Sequence, residues 1–424
     1  MRASAPNPQS PMQNAAKPSR DHPEQTNVAN DRFRWSDATR LFVQGIPLDV
    51  QTSHPPAYEA EIHTLRQAIR GGHDFSVGPD GIDVLPSDPG KPGLFHSRSG
   101  GTTGPAKAIR RSHRSWIASF EISRNRFNLS ARDVYGVLSL PSHSLALFAI
   151  VEAAHLDADL HLLAELRPRA QVAQLARAGA TVLYATPTQL RLLCDAGGQI
   201  PSLRQILSGG GRMPQGLRSR LAALCPQATV TEFYGTSETS FIAWGDGTGP
   251  DGAVGKAYPG VEIDIRNPVD GTGELWVRSP YLFDGYAEGH SSDTRWHDGF
   301  VTVGELGRID NAGHVFVAGR HSRMVTIAGQ NVFPEDIEVL LQSRPDIPHC
   351  AVMPLPDDLR GTVLVAVIAG QPDAGQAQEV IAQCRAAFGP LAAPRQVIAL
   401  PDFPLLASGK PDMRAIAALV EDRT

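Results

Sequence analysis

Cysteine is scarce and unpatterned in this 424-residue chain: Cys194, Cys225, Cys350 and Cys384 stand apart, with no CxxC or CxxH spacing. That excludes the common zinc and redox motifs and a disulfide framework, and it fits reduced thiols in a cytoplasmic protein. The 14 histidines are also unclustered. Neither sign of charge is in large excess. At a net charge of −5, no global field favours nucleic acid or an anionic membrane. No apolar run approaches a membrane span, and the opening residues lack a basic-then-apolar targeting pattern. Internal repeats are absent. A hydrophobic content of 42% over this length implies two or three globular domains around a large core.

Residues 1–30 are rich in Pro, Asn, Ser and Gln and poor in large apolar groups, so a disordered tail is expected there. Helical spacing marks Tyr58 to Ile69. Between 134 and 236, short apolar runs (YGVLSL, ADLHLL, ATVLYATP, LRQILSGGG, ATVTEFYG) alternate with helical stretches. That alternation predicts a largely parallel sheet, with ligands gathering where loops leave the carboxyl ends of its strands. After Gly255 the texture changes to short alternating strands with glycine turns, a β-rich module. From Arg320 the pattern is a small α+β unit. The expected organisation is a tail over 1–30, a large α/β domain over 31–319 and a small domain over 320–424.

The stretch from Ser97 to His113 reads SRSGGTTGPAKAIRRSH. Its glycines allow successive N–H groups to converge on an anion, Thr102 and Thr103 add hydroxyl donors, and Lys107 adds a mobile positive charge. Such a loop suits a polyphosphate. It is not the Walker pattern, because no Gly-Lys-Ser/Thr follows four spacer residues, and no kinase motif set accompanies it.

Six further segments follow in order: Ser208 to Gly211 (SGGG), Phe233 to Glu238 (FYGTSE), Gly273 to Tyr286, Asp298 to Asp310 (DGFVTVGELGRID), Gly319 to Glu338, and Pro404 to Arg414 (PLLASGKPDMR). As an ordered set, over roughly residues 94–415, they resemble the adenylate-forming superfamily: acyl- and aryl-CoA synthetases, peptide-synthetase adenylation domains and luciferases. The resemblance implies ATP and Mg²⁺. Thr102, Thr103, Gly104 and Lys107 would hold phosphates, and Gly209, Gly210 and Gly211 would lie against adenine and the acyl group. Tyr234, Gly235, Thr236 and Ser237 would contact the nucleotide, and Glu238 would bind the metal. Glu305 takes the place of the family's ribose-binding Asp. Arg320 would bridge ribose and phosphate, and Lys410 would catalyse adenylation. The Gly273–Tyr286 segment is assigned a structural role, and Ser322 falls at the hinge position. Leu406 replaces the family's Thr.

His143, in LPSHS, falls at the family's acyl pocket. With Ser144 beside it, the pattern is similar to aryl-acid adenylating enzymes. Tyr184, Thr186, Phe233 and Ser240 are further lining residues. The implied activity is an acid–thiol ligase acting on a carboxylic acid and CoA. One alternative is a stand-alone enzyme loading the phosphopantetheine of an acyl carrier protein. Another is a degenerate, non-catalytic nucleotide-binding or interaction protein, for which the short part before the phosphate loop, Glu305, Leu406 and Ser322 are the support. Family members carry a longer part before the phosphate loop, so the expectation is either a trimmed fold or a homodimer or other partner covering the exposed face, with an apolar contact near residues 33–90.

Overall fold

The computed structural model describes residues 31–88, 91–99, 107–214, 216–327, 330–344, 346–357, 361–371, 373–406 and 409–421. The expected tail over 1–30 lies outside them, as do Thr102, Thr103 and Gly104.

The apolar runs between 134 and 208 become strands buried on both faces, and the last run, Thr229–Thr236, is half-buried. Leu41–Val43, Asp159–Leu162, Val134–Val137, Val182–Ala185, Gln205–Ser208 and Thr229–Thr236 lie side by side in that order, all parallel. Helices cover them, as parallel pairing requires. Ser144–His155 is buried from Ala146 onward, as a sequence apolar on all sides but for Glu152 and His155 demands. Pro187–Ala196 starts on a capping box in which Thr186 and Gln189 satisfy each other's amides, with proline in its first turn.

Beyond Thr229–Thr236 the same sheet turns antiparallel, running through Ser240–Gly245, Ala253–Ala257, His314–Arg320, Glu305–Ile309 and Thr272–Arg278; with Ile46–Pro47, Glu262–Val269, Arg295–His297 and Phe300–Thr302 it counts 15 strands among the described residues. This is the β-rich module. A separate five-stranded sheet orders Gly285–Glu288, Lys107–Ser112, Leu94–Ser99, Asp74–Gly78 and Gly81–Leu85.

Residues 31–35 are held onto this body by histidines. The Phe33 amide donates to His113 Nδ1 at 3.1 Å, Nε2 of the same ring lies 3.1 Å from the Leu94 carbonyl, and the Phe33 ring stacks on it at 4.0 Å. The Arg34 amide donates to His155 Nδ1 at 3.2 Å. Burial, then the Arg32 charge, pushes His113 down to about 3; burial, then Arg34, pushes His155 down to about 4. Both rings are neutral at neutral pH, as acceptance of an amide at Nδ1 requires.

Residues after 325 build their own cores. Ile327, Ile337, Leu341, Val352 and Leu364 form one, and Val365, Val367, Ile416 and Val420 contribute to another. They lie on either side of the sheet Cys350–Asp357, Gly361–Ala369 and Gln396–Leu400. Among the described residues, no helix is long and apolar enough to cross a membrane.

Candidate active site

Strand Thr229–Thr236 marks the change of sheet direction, parallel to one neighbour and antiparallel to the other. Its register shifts between Tyr234 and Gly235. A Cβ on Gly235 would lie 1.8 Å from the Ser240 carbonyl oxygen, so only glycine lets the chain double back so tightly. The Thr236 hydroxyl accepts the amides of Glu238 and Thr239 at 3.3 and 3.2 Å, and the Thr239 hydroxyl accepts the Thr236 amide at 3.2 Å. The turn carrying Ser237 and Glu238 is thereby closed on itself. Phe233 packs on the Gly209 main chain, where a Cβ would meet its ring at 2.2 Å. Gly210 follows at φ +81°, and Gly211 faces Pro187.

Four groups distant in sequence meet beside that glycine turn. Glu305 and Arg320 are paired across adjacent strands, and Arg320 Nε lies 3.7 Å from Glu305 Oε1. The Tyr234 hydroxyl donates to Glu305 Oε2. Burial raises the Glu305 pKa, against the opposing pull of Arg320 and the Tyr234 hydrogen bond. Lys410 reaches this group from the C-terminal body: its Cε lies 4.0 Å from where a Gly210 Cβ would stand. Lys410 as a residue is exposed, yet protein atoms surround its ammonium group closely. That crowding and the like charge of Arg320 lower its pKa, while Glu305 raises it.

Glu238 faces a second cluster. Tyr286 donates its hydroxyl to Glu238 Oε1 at 2.9 Å, and the Lys107 Nζ sits over the Tyr286 ring at 5.6 Å. Ser237 contributes its carbonyl to buried Arg111. His143 precedes the helix Ser144–His155, its Nδ1 buried without a hydrogen-bond partner among the described residues, and burial lowers its pKa. The structure therefore brings Gly209, Gly210, Tyr234, Glu305, Arg320 and Lys410 together and places Glu238 with Lys107 through Tyr286. The sequence reading missed Tyr286 and Arg111 as neighbours of Glu238. The only available signal was strand alternation, which puts Lys107, Ile109 and Arg111 on one face.

Among the described residues, no three His, Cys, Asp or Glu side chains form a metal cluster. A lone Glu238 carboxylate with one oxygen engaged by Tyr286 fits Mg²⁺, which keeps waters and takes further ligands from substrate phosphates. A cavity of about 350 Å³ runs along the seam between the two bodies, lined by Arg212, Asp251, Arg308, Phe316 and Asp336 among others.

A two-direction sheet with a glycine turn, a Tyr-Gly-x-x-Glu turn and a lysine delivered by a separate C-terminal body defines an AMP-binding type of enzyme. The AMP-binding enzyme family matches residues 98–287, and the AMP-binding enzyme C-terminal domain matches residues 336–410. The uncharacterized acyl–CoA ligase YhfT of Bacillus subtilis (strain 168) is 32% identical over 339 residues, covering 77% of this chain and 69% of that protein. The salicyl-AMP ligase / salicyl-S-ArCP synthetase of Mycobacterium tuberculosis (strain ATCC 25618 / H37Rv) is 32% identical over 366 residues, covering 79% of this chain and 62% of that protein. The chain belongs to the adenylate-forming, AMP-binding enzyme family. It spans between 53% and 69% of the length of the curated relatives it matches. In fold it is similar to the o-succinylbenzoate CoA synthetase of Bacillus subtilis solved with its acyl-adenylate, at a TM-score of 0.66 and 24% identity, covering 76% of this chain and 68% of that one. It is also similar to MatB of Rhodopseudomonas palustris solved with ATP, at a TM-score of 0.68 and 23% identity, covering 91% and 80%.

Proposed function

We propose that this chain is an ATP-dependent acid–thiol ligase that activates a carboxylic acid as its acyl-adenylate and passes the acyl group to CoA in the cytoplasm. The observation that carries this reading is the meeting of Lys410 with Glu305, Arg320 and Tyr234 beside Gly210.

The acid's carboxylate oxygen attacks the α-phosphorus of ATP, forming the P–O bond of the mixed anhydride as the bond to pyrophosphate breaks. Glu305, set between Tyr234 and Arg320, accepts the ribose hydroxyls. Arg320 also faces the phosphates. Lys107 and the glycine loop with Thr102, Thr103 and Gly104 hold the polyphosphate, while Thr236 and Ser237 flank the α-phosphate. Lys410 bridges the acid and the α-phosphate, offsetting charge where it builds up. Glu238 is the carboxylate for Mg²⁺, whose chemistry is to neutralise the polyphosphate. His143 borders the acyl group.

The thiol then attacks the acyl carbon and AMP leaves. For that step the small domain, residues 320–424, rotates against the large domain, residues 31–319. Arg320 is tied to Glu305 on one side, and Arg323 donates to Glu338 and to the Val352 carbonyl on the other. The His321 amide also donates to the Gly304 carbonyl at 2.8 Å, which leaves the turn to Ser322, the hinge position.

Resemblance to the salicyl-AMP ligase / salicyl-S-ArCP synthetase supports a second reading, in which the thiol belongs to a carrier-protein phosphopantetheine. The test is pyrophosphate release from ATP and Mg²⁺ across aryl, short-chain and long-chain acids, with and without CoA. Acid-dependent release with acyl-CoA appearing on CoA addition is the expected result. Release without acyl-CoA favours the carrier protein, and silence from a folded sample returns the non-catalytic alternative.

A further inference from the structure

Arg111 is 1% exposed and is the largest of the fully buried side chains among the described residues. Its Nε and Nη2 donate to the Ser237 carbonyl at 3.2 and 2.6 Å, and its Nη1 donates to the Tyr281 carbonyl at 2.6 Å. Its charge faces Glu238 and Asp284. Burying a guanidinium is costly, and a planar fork gripping main-chain oxygens gives back geometric definition in return.

What Arg111 joins is informative. Its strand, Lys107–Ser112, begins with Lys107. Its hydrogen bonds end on the residue before Glu238. The neighbouring strand, Gly285–Glu288, carries Tyr286, whose hydroxyl fixes the Glu238 carboxylate itself. The turn is therefore gripped twice, once by its main chain and once by its side chain.

We propose that Arg111 is a positioning residue for Glu238: it clamps the Ser237 main chain to the strand bearing Lys107, so that the cation-binding and polyphosphate-binding arms keep one fixed spacing. This rests on the roles given to Glu238 and Lys107 above. Groups that orient a metal ligand from behind govern metal affinity by about 10–100-fold.

The experiment compares the full chain with Arg111→Met and Arg111→Lys. Mn²⁺ binding beside a non-hydrolysable ATP analogue is read by electron paramagnetic resonance, and the Mg²⁺ and acid dependence of pyrophosphate release by kinetics. Arg111→Met should weaken Mn²⁺ about tenfold or more and raise the half-saturating Mg²⁺ in parallel. The KM for acid should stay within about twofold, and Arg111→Lys should recover part of the loss. A folded Arg111→Met with wild-type Mn²⁺ affinity overturns the proposal, and so does equal weakening toward metal and acid. If Arg111→Met does not fold, Arg111→Lys, which keeps the charge but loses the fork, carries the comparison: unchanged Mn²⁺ affinity overturns it. If no acid releases pyrophosphate but Mn²⁺ affinity still drops, the ligase reading fails and the role of Arg111 stands.

Discussion

The two arms of the site are held in opposite ways. The Glu238 arm is built into the large body: its turn closes on its own hydroxyls, Arg111 grips its main chain and Tyr286 its carboxylate. The Lys410 arm lies on a small turn. An isolated bridge pairs Leu405 with Pro411, the Leu406 amide donates to the Lys410 carbonyl at 2.8 Å, and Gly409 sits at φ +78°. One arm is fixed by many bonds to the sheet, and the other is delivered by a separately packed body. On the proposed reading, groups needed in both half-reactions belong on the first, and a group that must withdraw between them belongs on the second.

The sharpest way to break this comparison is Lys410→Ala. Acyl-adenylate formation should fall by about 10²–10³-fold, with thiolysis of preformed adenylate within about threefold of wild type. Equal loss in both half-reactions, measured by rapid quench, would put Lys410 on the fixed arm.

A second test loads the fixed arm through pH. His113 follows directly on the strand of Lys107 and Arg111, and its folded pKa lies well below the unfolded value near 6.5. The unfolded chain then binds more protons between those two values. Stability is thus fully present above about pH 6.5 and is lost as pH falls below it, by up to about 2 kcal/mol per histidine at pH 5. Denaturant midpoints at pH 7 and pH 5 should show the loss, with a shallower slope in His113→Gln. An unchanged slope would show that His113 does not carry it.

Glu305→Asp probes the group that Lys410 is brought up to. The carboxylate is spaced to meet Tyr234 and Arg320 together. Shortening it by one methylene should weaken ATP-analogue binding about tenfold by calorimetry, the worth of one charge-assisted hydrogen bond. Equal or tighter binding would mean that this spacing is not what the nucleotide reads.

The smallest effect is expected at the seam. Arg191 Nη2 donates to the Pro348 carbonyl at 2.6 Å, crossing from one body to the other. Loss of one such bond in Arg191→Ala should cut adenylate formation about threefold and leave thiolysis unchanged. Interdomain energy transfer between two dyes would register the shift in population; identical transfer would remove Arg191 from the delivery mechanism.

Much of this molecule was legible in its sequence, and unevenly so. Most of the parallel strands read clearly because they are short apolar runs, several of them closed by glycine or proline, as in VLYA before Thr186 and Pro187, whereas Leu41–Val43 was not read as a strand. The five-stranded sheet did not, because DFSVG, GIDVL, LFHSRS and KAIRRS mix charges into short strands. Arg110 and Arg111 look alike in sequence, and only alternation in a strand sends one outward and the other inward. The motif residues were nameable one by one. Their contacts were not: Tyr234 and Glu305 stand 71 positions apart, and a hydrogen bond over that distance is a property of the sheet order. The phosphate-loop residues Thr102, Thr103 and Gly104 were nameable too, but fall outside the described residues.

The change of strand direction at Thr229–Thr236 also imposes an order on synthesis. The ribosome releases the parallel half first, then the antiparallel half that completes the grip around Tyr234, and Lys410 well after Glu238. On the proposed reading, a nascent chain acquires its nucleotide seat before the group that makes the seat reactive. A stalled or truncated translation product would then be a nucleotide-holding protein that cannot release a reactive acyl-adenylate into the cell.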